Sequence, residues 1–216
     1  MSLFIPLPID RSSCFLLSNR YVIPESKLML ELFLESSPKI SKNIPKPFLK
    51  IGDKTMIEHV YENTLKSKLV KYFFIATCDL EIFHLMKKKG ANVIMTSRKH
   101  KRATDRVYEA YSKTNKKIKK KISKIVMVQG DDPMLKPQMI NEVILSNTNQ
   151  HQVTNICNTL NEKDSKDPNR VKVVINKKFE AVYFSREQIS FKKKRNKKLY
   201  LKQGNIFCFT PKILKK

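Results

Sequence analysis

Short apolar runs bounded by polar breaks alternate along the chain with stretches whose apolar residues recur every three to four positions. That alternation is the pattern of an α/β domain with a mostly parallel sheet. "TMIEHVYENTLKS" sets Met56, Ile57, Val60, Tyr61 and Leu65 on one helical face. "KYFFIATC", Lys71 to Cys78, reads as a strand buried on both sides. Asp79 is placed to cap the following helix, "LEIFHLMKKKG", whose closing lysines and Gly90 suit the negative end of a helix dipole and a C′ glycine. "ANVIMT" predicts a short strand, Thr104 to Ser112 a helix, "KIVMVQ" a strand, Pro137 to Ser146 a helix and "VTNICN" a strand. "RVKVVIN" and "FEAVYFS", separated by Lys177-Lys178, predict a hairpin.

Composition narrows the picture. A chain of 216 residues with 41% hydrophobic content can bury one sizeable core, which predicts a single domain over residues 28–216. Residues 1–27 fit no pattern and form an unassigned N-terminal extension. The net charge of +25 calls either for an anionic partner or for solvated faces rich in lysine. Two dense tracts, "KTNKKIKKKISK" and "KKKRNKK", could track phosphates or sit in solvated loops and helix ends. They carry no interleaved aromatics, zinc-finger spacing or RNA-binding sheet motif, which argues against nucleic acid. Cys14, Cys78, Cys157 and Cys208 lie far apart with no CxxC, so buried free thiols are expected rather than a zinc site or disulfide framework. No apolar run approaches the roughly 18 residues a spanning helix needs, and the start lacks the order of a signal peptide. The expectation is a cytoplasmic protein without membrane insertion.

The candidate chemistry sits in "KIVMVQGDDPML", Lys124 to Leu135, where a buried strand runs into two adjacent carboxylates. Ligands of open parallel sheets bind outside the carboxyl ends of the strands, and Gln129-Gly130-Asp131-Asp132-Pro133 falls there. Gly130 lets the backbone approach a ligand closely, and Pro133 fixes the exit. Asp131 can hold Mg²⁺ against nucleotide phosphates, while Asp132 can point away and cap the loop. Gly130 to Pro133 alone could equally be a plain strand-to-helix turn.

This stretch resembles the Q-G-D-E-P signature of sugar-acid cytidylyltransferases, and specifically the 3-deoxy-manno-octulosonate (KDO) cytidylyltransferase family. Further segments resemble that family in order: "KPFLKIGDKTMIEHVYENTLKS" its K-P-L-x-x-I-x-G-K-P-M-I-x-H-V segment, "FFIATCDLEI" its I-V-A-T-D-D strand, "VIMTSRKHKRATDRVYEA" its V-x-M-T-x-x-x-H-x-S-G-T-D-R. "DPNRVKVVINKKFEAVYFSR" resembles N-P-N-x-V-K-V-V followed by A-L-Y-F-S-R. The resemblance implies a Rossmann-like nucleotidyltransferase domain, a mixed sheet flanked by helices, that uses CTP and Mg²⁺. The anomeric hydroxyl of KDO would attack the α-phosphate of CTP in line, giving CMP-KDO for lipopolysaccharide synthesis and pyrophosphate.

Carried over by position, Asp131 is the metal ligand and Gln129 a contact to nucleotide or sugar acid. The loop "SPKISKNIPKP" takes the place of the family's phosphate loop, with Lys42 and Lys46 facing the triphosphate. Arg106 matches the arginine of S-G-T-D-R, near the nucleotide with Thr104 beside it; as an ordinary helix residue it could instead pair with Glu109. Lys172 and Arg186 match basic positions that meet the KDO carboxylate or order the site, and Asn169 turns the chain ahead of that strand. Gln203 stands where the family has the histidine of H-x-G-I-Y-G-Y-R and could touch substrate there or simply end a loop, with Phe207 and Phe209 in place of the tyrosines.

The departures bear on activity. Glu35-Ser36-Ser37 replaces the family's P-A-R, Arg102-Ala103 replaces serine and glycine, and one residue is missing between Pro45 and Lys46. The family's G-V-D-T-P-E-D motif, with a second metal-binding aspartate, has no counterpart before Lys216, so impaired catalysis and self-association into a homodimer through an exposed sheet edge are expected. "SKNIP" also resembles the S-K-G-I-P loop of acylneuraminate cytidylyltransferases, so an acylneuraminate or an amino-substituted KDO acid is an alternative acceptor. A third reading is a catalytically silent fold holding polyanions on its lysine tracts.

Overall fold

The computed structural model of the chain describes residues 3–4, 30–36, 46–115, 122–189, 191–192 and 198–215. After β1 (Leu3–Phe4) and β2 (Leu30–Ser36), a 3₁₀ turn at Lys46–Phe48 leads into the small hairpin β3 (Lys50–Ile51) and β4 (Lys54–Thr55). Then come α1 (Met56–Leu65), β5 (Tyr72–Thr77), α2 (Leu80–Lys88), β6 (Val93–Met95), α3 (Ala103–Asn115), β7 (Lys124–Gln129) and α4 (Pro137–Ser146). The last third holds β8 (Val153–Leu160), α5 (Glu162–Ser165), β9 (Lys172–Ile175), β10 (Ala181–Ser185), β11 (Phe191–Lys192), β12 (Lys198–Phe209) and α6 (Pro211–Leu214).

Local chemistry accounts for the element ends. Asp79 caps α2 as expected, its Oδ1 accepting the Glu81 amide at 2.8 Å and the Ile82 amide at 3.3 Å. Gly90, at φ +78°, closes that helix after Lys87 and Lys88. Thr55 and Glu58 form a reciprocal capping box at the head of α1. Ile57 and Val60 of α1 are fully buried, but Leu65, expected on the same face, is 46% exposed because the helix ends there and the chain turns away. Helix α3 runs from Ala103 to Asn115, a turn longer than the sequence pattern predicts. The C-terminal end of α4 is closed by a cation from a different element, since the buried Lys124 ammonium donates to the Ile144 carbonyl at 2.7 Å and to that of Asn147.

The main sheet runs β1-β8-β12-β7-β2-β5-β6. Strands β7, β2, β5 and β6 are mutually parallel, whereas β12 lies antiparallel between β7 and β8. The expected hairpin is present, β9 pairing with β10 antiparallel and joining β12 at Lys202–Lys172. One apolar layer joins α1, α2 and α4 to the sheet through Ile57, Ile75, Ile82, Val128, Ile140 and Ile206. A second, around Val107, Ala110, Ile125 and Met127, joins α3 to the opposite face. The outer strand β6 is blunted by Lys113, whose ammonium donates to the Met95 carbonyl at 2.7 Å. Cys78, Cys157 and Cys208 are buried free thiols; Cys14 lies outside the described residues, as do residues 116–121 and 193–197 of the two lysine tracts. Among the described residues no helix is long and apolar enough to cross a membrane.

Candidate active site

Strand order reverses between β2 and β7: the chain leaves β2 for β5 and β6 on one side, and returns through β7 on the other. Such a switch point opens a crevice at the carboxyl ends of the strands. Register shows which residues reach it. Glu35 of β2 is level with Gln129 of β7, Ser36 with Thr77 of β5, and Thr77 with Met95 of β6. The residues that follow, Gly130 to Asp132 after β7 and Thr96 onward after β6, therefore share one rim.

Gln129 is the last residue of β7 and half-buried; Asp131 follows in a turn and is exposed. Asp132 is half-buried and does different work. The Met134 amide and the Asn205 side chain lie against its carboxylate, and its backbone carbonyl takes the Leu135 amide at 3.1 Å, so the turn is closed on Asp132 itself. Burial pushes the Asp132 carboxyl above the ordinary range and Asp131 adds to this, against the attraction of Lys202 and the hydrogen bonds. With Asp132 engaged, Asp131 is left exposed to solvent as an oxygen donor.

Across the rim, Arg106 is only 2% exposed. Its Nη1 donates to the Thr96 hydroxyl at 2.6 Å and to the Ser97 carbonyl at 3.4 Å. Thr96 in turn donates to the Thr77 carbonyl at 3.0 Å, so the ends of β5, β6 and α3 are tied by one chain of hydrogen bonds. Glu109 organises the loop beyond: it accepts from the Ser97 amide at 2.8 Å, pairs with Lys113 at 2.6 Å, and meets the His100 ring. Desolvation opposes its charge but is outweighed by these partners, which hold its carboxyl down at about 2. Thr104 is half-buried in the first turn of α3, and Arg98, Lys99, Lys101 and Arg102 leave an exposed basic lip ahead of that helix. At about 4.8 Å between neighbouring strands, β6 and β7 stand roughly 14 Å apart, a gap that a nucleotide lying along the rim can bridge.

The remaining sequence-derived residues separate. Lys46 is exposed at the start of the 3₁₀ turn after β2, and Lys42 lies outside the described residues. Lys172 is fully buried, donating to the Asp167 carbonyl at 3.0 Å and to that of Arg186. Arg186 donates to the Pro168 carbonyl at 2.9 Å. Of the two roles expected for this pair, ordering the site describes the contacts they make: they fasten the end of β10 to the 167–168 turn. That turn is built by Asp167, which accepts the Asn169 amide at 2.9 Å. Gln203, half-buried on β12, lies opposite Cys157 and donates its backbone N–H to the Val171 carbonyl at 2.9 Å.

Residues 41–216 match the model of the family described as Cytidylyltransferase. The chain is 37% identical over 174 residues to the 3-deoxy-manno-octulosonate cytidylyltransferase of Syntrophus aciditrophicus, covering 79% of this chain and 69% of the relative. It is 32% identical over 178 residues to the Escherichia coli protein of the same name, covering 81% and 70%. The chain belongs to the cytidylyltransferase family. A solved structure of CMP:2-keto-3-deoxy-manno-octonic acid synthetase complexed with CTP is similar at a TM-score of 0.73 and 29% identity, over 88% of this chain and 76% of that one. The Rossmann-like nucleotidyltransferase fold expected from the motifs is therefore the fold of this cytidylyltransferase.

Three residues that meet the rim carry no role in the motif assignments, although Thr77 and Thr96 lie within quoted motifs. Thr77 and Thr96 link Arg106 to the strand ends, and Asn205 supports Asp132. A signal for the last was available: an isolated Gly inside a strand pattern, here Gly204, marks a bulge or a close approach. A groove of about 690 Å³ runs along the free edge of β6, lined by Phe74, Ile94, Met95, Glu109, Ser112 and Lys113 among others. It borders the outer edge of this cytidylyltransferase and includes neither Asp131 nor Gln129.

Proposed function

We propose that the chain activates KDO with CTP, releasing pyrophosphate and forming CMP-KDO for lipopolysaccharide synthesis in the cytoplasm. The observation that carries this reading is the placement of Asp131, exposed at the tip of β7 beside the switch point and on the same rim as Arg106 and Thr104, in a chain similar to proteins of that name. The anomeric hydroxyl of the sugar acid attacks the α-phosphorus, the bond to the β-phosphate oxygen breaks, pyrophosphate leaves with that electron pair, and the hydroxyl proton passes to solvent. Positioning and charge neutralisation carry most of such a step.

The donor set suits a hard cation. An exposed carboxylate at the rim fits Mg²⁺, an ion held by one or two carboxylates with phosphates and water completing its shell. Asp131 would hold it, and the ion would neutralise the triphosphate. Lys46 and the lip from Arg98 to Arg102 offer cations to the phosphates, Gln129 a polar contact at the crevice, and Gln203 one on the β12 side. Lys172 and Arg186 order the wall behind Gln203. The same reading includes a homodimer, with Val182 and Tyr183 of β10 exposed as an apolar surface.

Purified protein supplied with CTP and Mg²⁺ should release pyrophosphate with KDO and at least tenfold less with N-acetylneuraminate. Release with the acylneuraminate alone would move the chain to the other sugar-acid branch. No release with either, together with salt-sensitive binding of polyanions that is indifferent to Asp131, would replace the enzyme reading with the binding one.

A further inference from the structure

Strand β12 changes partners part-way along. Ile206 to Phe209 pair with β7, and Phe207 to Phe209 also pair with β8, whereas Tyr200 to Gln203 pair with β8 and, at Lys202, with β9. A register shift between Gln203 and Phe207 separates the two halves. The strand thus parts from β7 where β7 ends and the Gly130–Asp132 turn begins, and the bulge carries Asn205 to the Asp132 carboxylate. Gly204 has no room for a side chain, since a Cβ there would lie 2.4 Å from Ile156 Cγ2 and 2.8 Å from the Ile156 carbonyl.

A bulge leaves carbonyls without ladder partners. Here the two that flank Asn205 are served by one side chain. Asn155 of β8, fully buried, donates its Nδ2 to the Gly204 carbonyl at 2.9 Å and to the Ile206 carbonyl at 2.7 Å. Its own Oδ1 is buried with no partner among the described residues. Val153 and Ile156 nearby on the same strand pack into apolar clusters, so an aliphatic side chain at 155 would remove that orphan oxygen and give up the clamp.

We propose that Asn155 is a positioning residue for the transfer reaction: by clamping the carbonyls on either side of Asn205 it fixes Asn205 against Asp132, and so holds the turn that presents Asp131 to the crevice. The catalytic consequence rests on the function proposed above; the clamp itself does not. Hydrogen exchange on the full chain without ligand tests the clamp. Asn155→Leu and Asn205→Ala should each speed exchange of the Met134 and Leu135 amides roughly tenfold, with the double variant no faster than either, and α2 amides unchanged. In turnover, Asn155→Leu should lower kcat about tenfold while KM for CTP moves less than twofold. Where Asn155→Leu does not fold, Asn155→Ser, which keeps one donor, is read in its place and should show a smaller change in the same amides. Unchanged exchange at 134–135, an equal rise in α2, or additive single effects would each overturn the proposal. Wild-type protein that shows the expected exchange pattern and yet no turnover would sink the proposed function and leave the clamp standing.

Discussion

The two sides of the crevice are built by different means. On the β5–β6 side, Arg106, Thr96 and Thr77 hold one another across parallel strands in regular register. On the β12 side the wall depends on a register break, with Asn205 set on Asp132 by a side chain that keeps an orphan oxygen. Regular pairing brings polar groups to a rim with little local cost. Re-aiming a strand toward a turn frees carbonyls that something must then satisfy. The contrast predicts that substitutions on the first side act mainly on stability and those at the turn mainly on turnover.

Asp131→Asn provides the largest expected effect and the sharpest test. Its side chain is exposed, so the thermal midpoint should stay within about 1 °C of wild type, a surface change being worth less than about 0.5 kcal/mol. Pyrophosphate release should fall about 10²- to 10³-fold, the order expected when one preorganised electrostatic group is lost from a transfer site. A variant that binds Mg²⁺-CTP and turns over as well as wild type would remove Asp131 from the site.

Arg106→Met probes the opposite wall. The thioether fills much of the volume but leaves the Thr96 hydroxyl and the Ser97 carbonyl without their buried donor. Losing these should cost about 3 kcal/mol, read as a lower urea midpoint at unchanged m-value. A cost below about 0.5 kcal/mol would mean that the strand ends hold without the guanidinium, and the contrast between the walls would fail.

How much of this was legible depends on whether local pattern or long-range pairing decides a position. Strand β7 and helix α4 begin and end where "KIVMVQ" and the Pro137 start place them, because a continuous apolar run and a proline at a first helical turn are local signals. The capping of the turn by Asp132 was open to the same reasoning. Leu65 was not, because its helical phase is right but the helix stops beneath it. Lys172 and Arg186 were placed by motif register, yet their partners are carbonyls of Asp167, Arg186 and Pro168, and only the folded hairpin brings these within reach. Asn155 and Asn205 lie fifty positions apart in sequence, and no periodicity links a strand asparagine to a bulge in a strand that has yet to pair. Gly204 was the one visible mark of that bulge.

Gly204→Ala bears on the β12 wall directly. The added methyl meets both a side chain and the backbone of Ile156, and backbone cannot yield as a flexible side-chain end can. A destabilisation of about 2 kcal/mol is expected from this overpacking, with a larger loss of kcat than Arg106→Met causes. A variant as stable and active as wild type would show that the bulge is free to relax and that its position does not govern the turn.

The smallest effect distinguishes the walls by pH. Glu109 is held near pKa 2 in the folded chain against 4.5 for the free carboxyl, as Lys113, Ser97 and His100 together outweigh its desolvation. A carboxyl whose folded pKa lies below its unfolded one contributes stability above the unfolded value and loses it as the pH falls toward the folded one. The full shift would be worth about 3 kcal/mol, but Glu109 keeps 24% side-chain exposure and Lys113 52%, so about 1 kcal/mol is the reasonable expectation. Wild type should therefore exceed Glu109→Gln by about 1 kcal/mol in urea unfolding at pH 6, and the difference should shrink between pH 4.5 and 2 until the two coincide. Because Glu109 receives the Ser97 amide and Ser97 receives Arg106, the loss should loosen the β6 side of the rim while exchange at Met134 and Leu135 stays as it was. A pH-independent gap, or one that opens toward acid, would mean that the loop beyond β6 is held by packing rather than by this carboxylate.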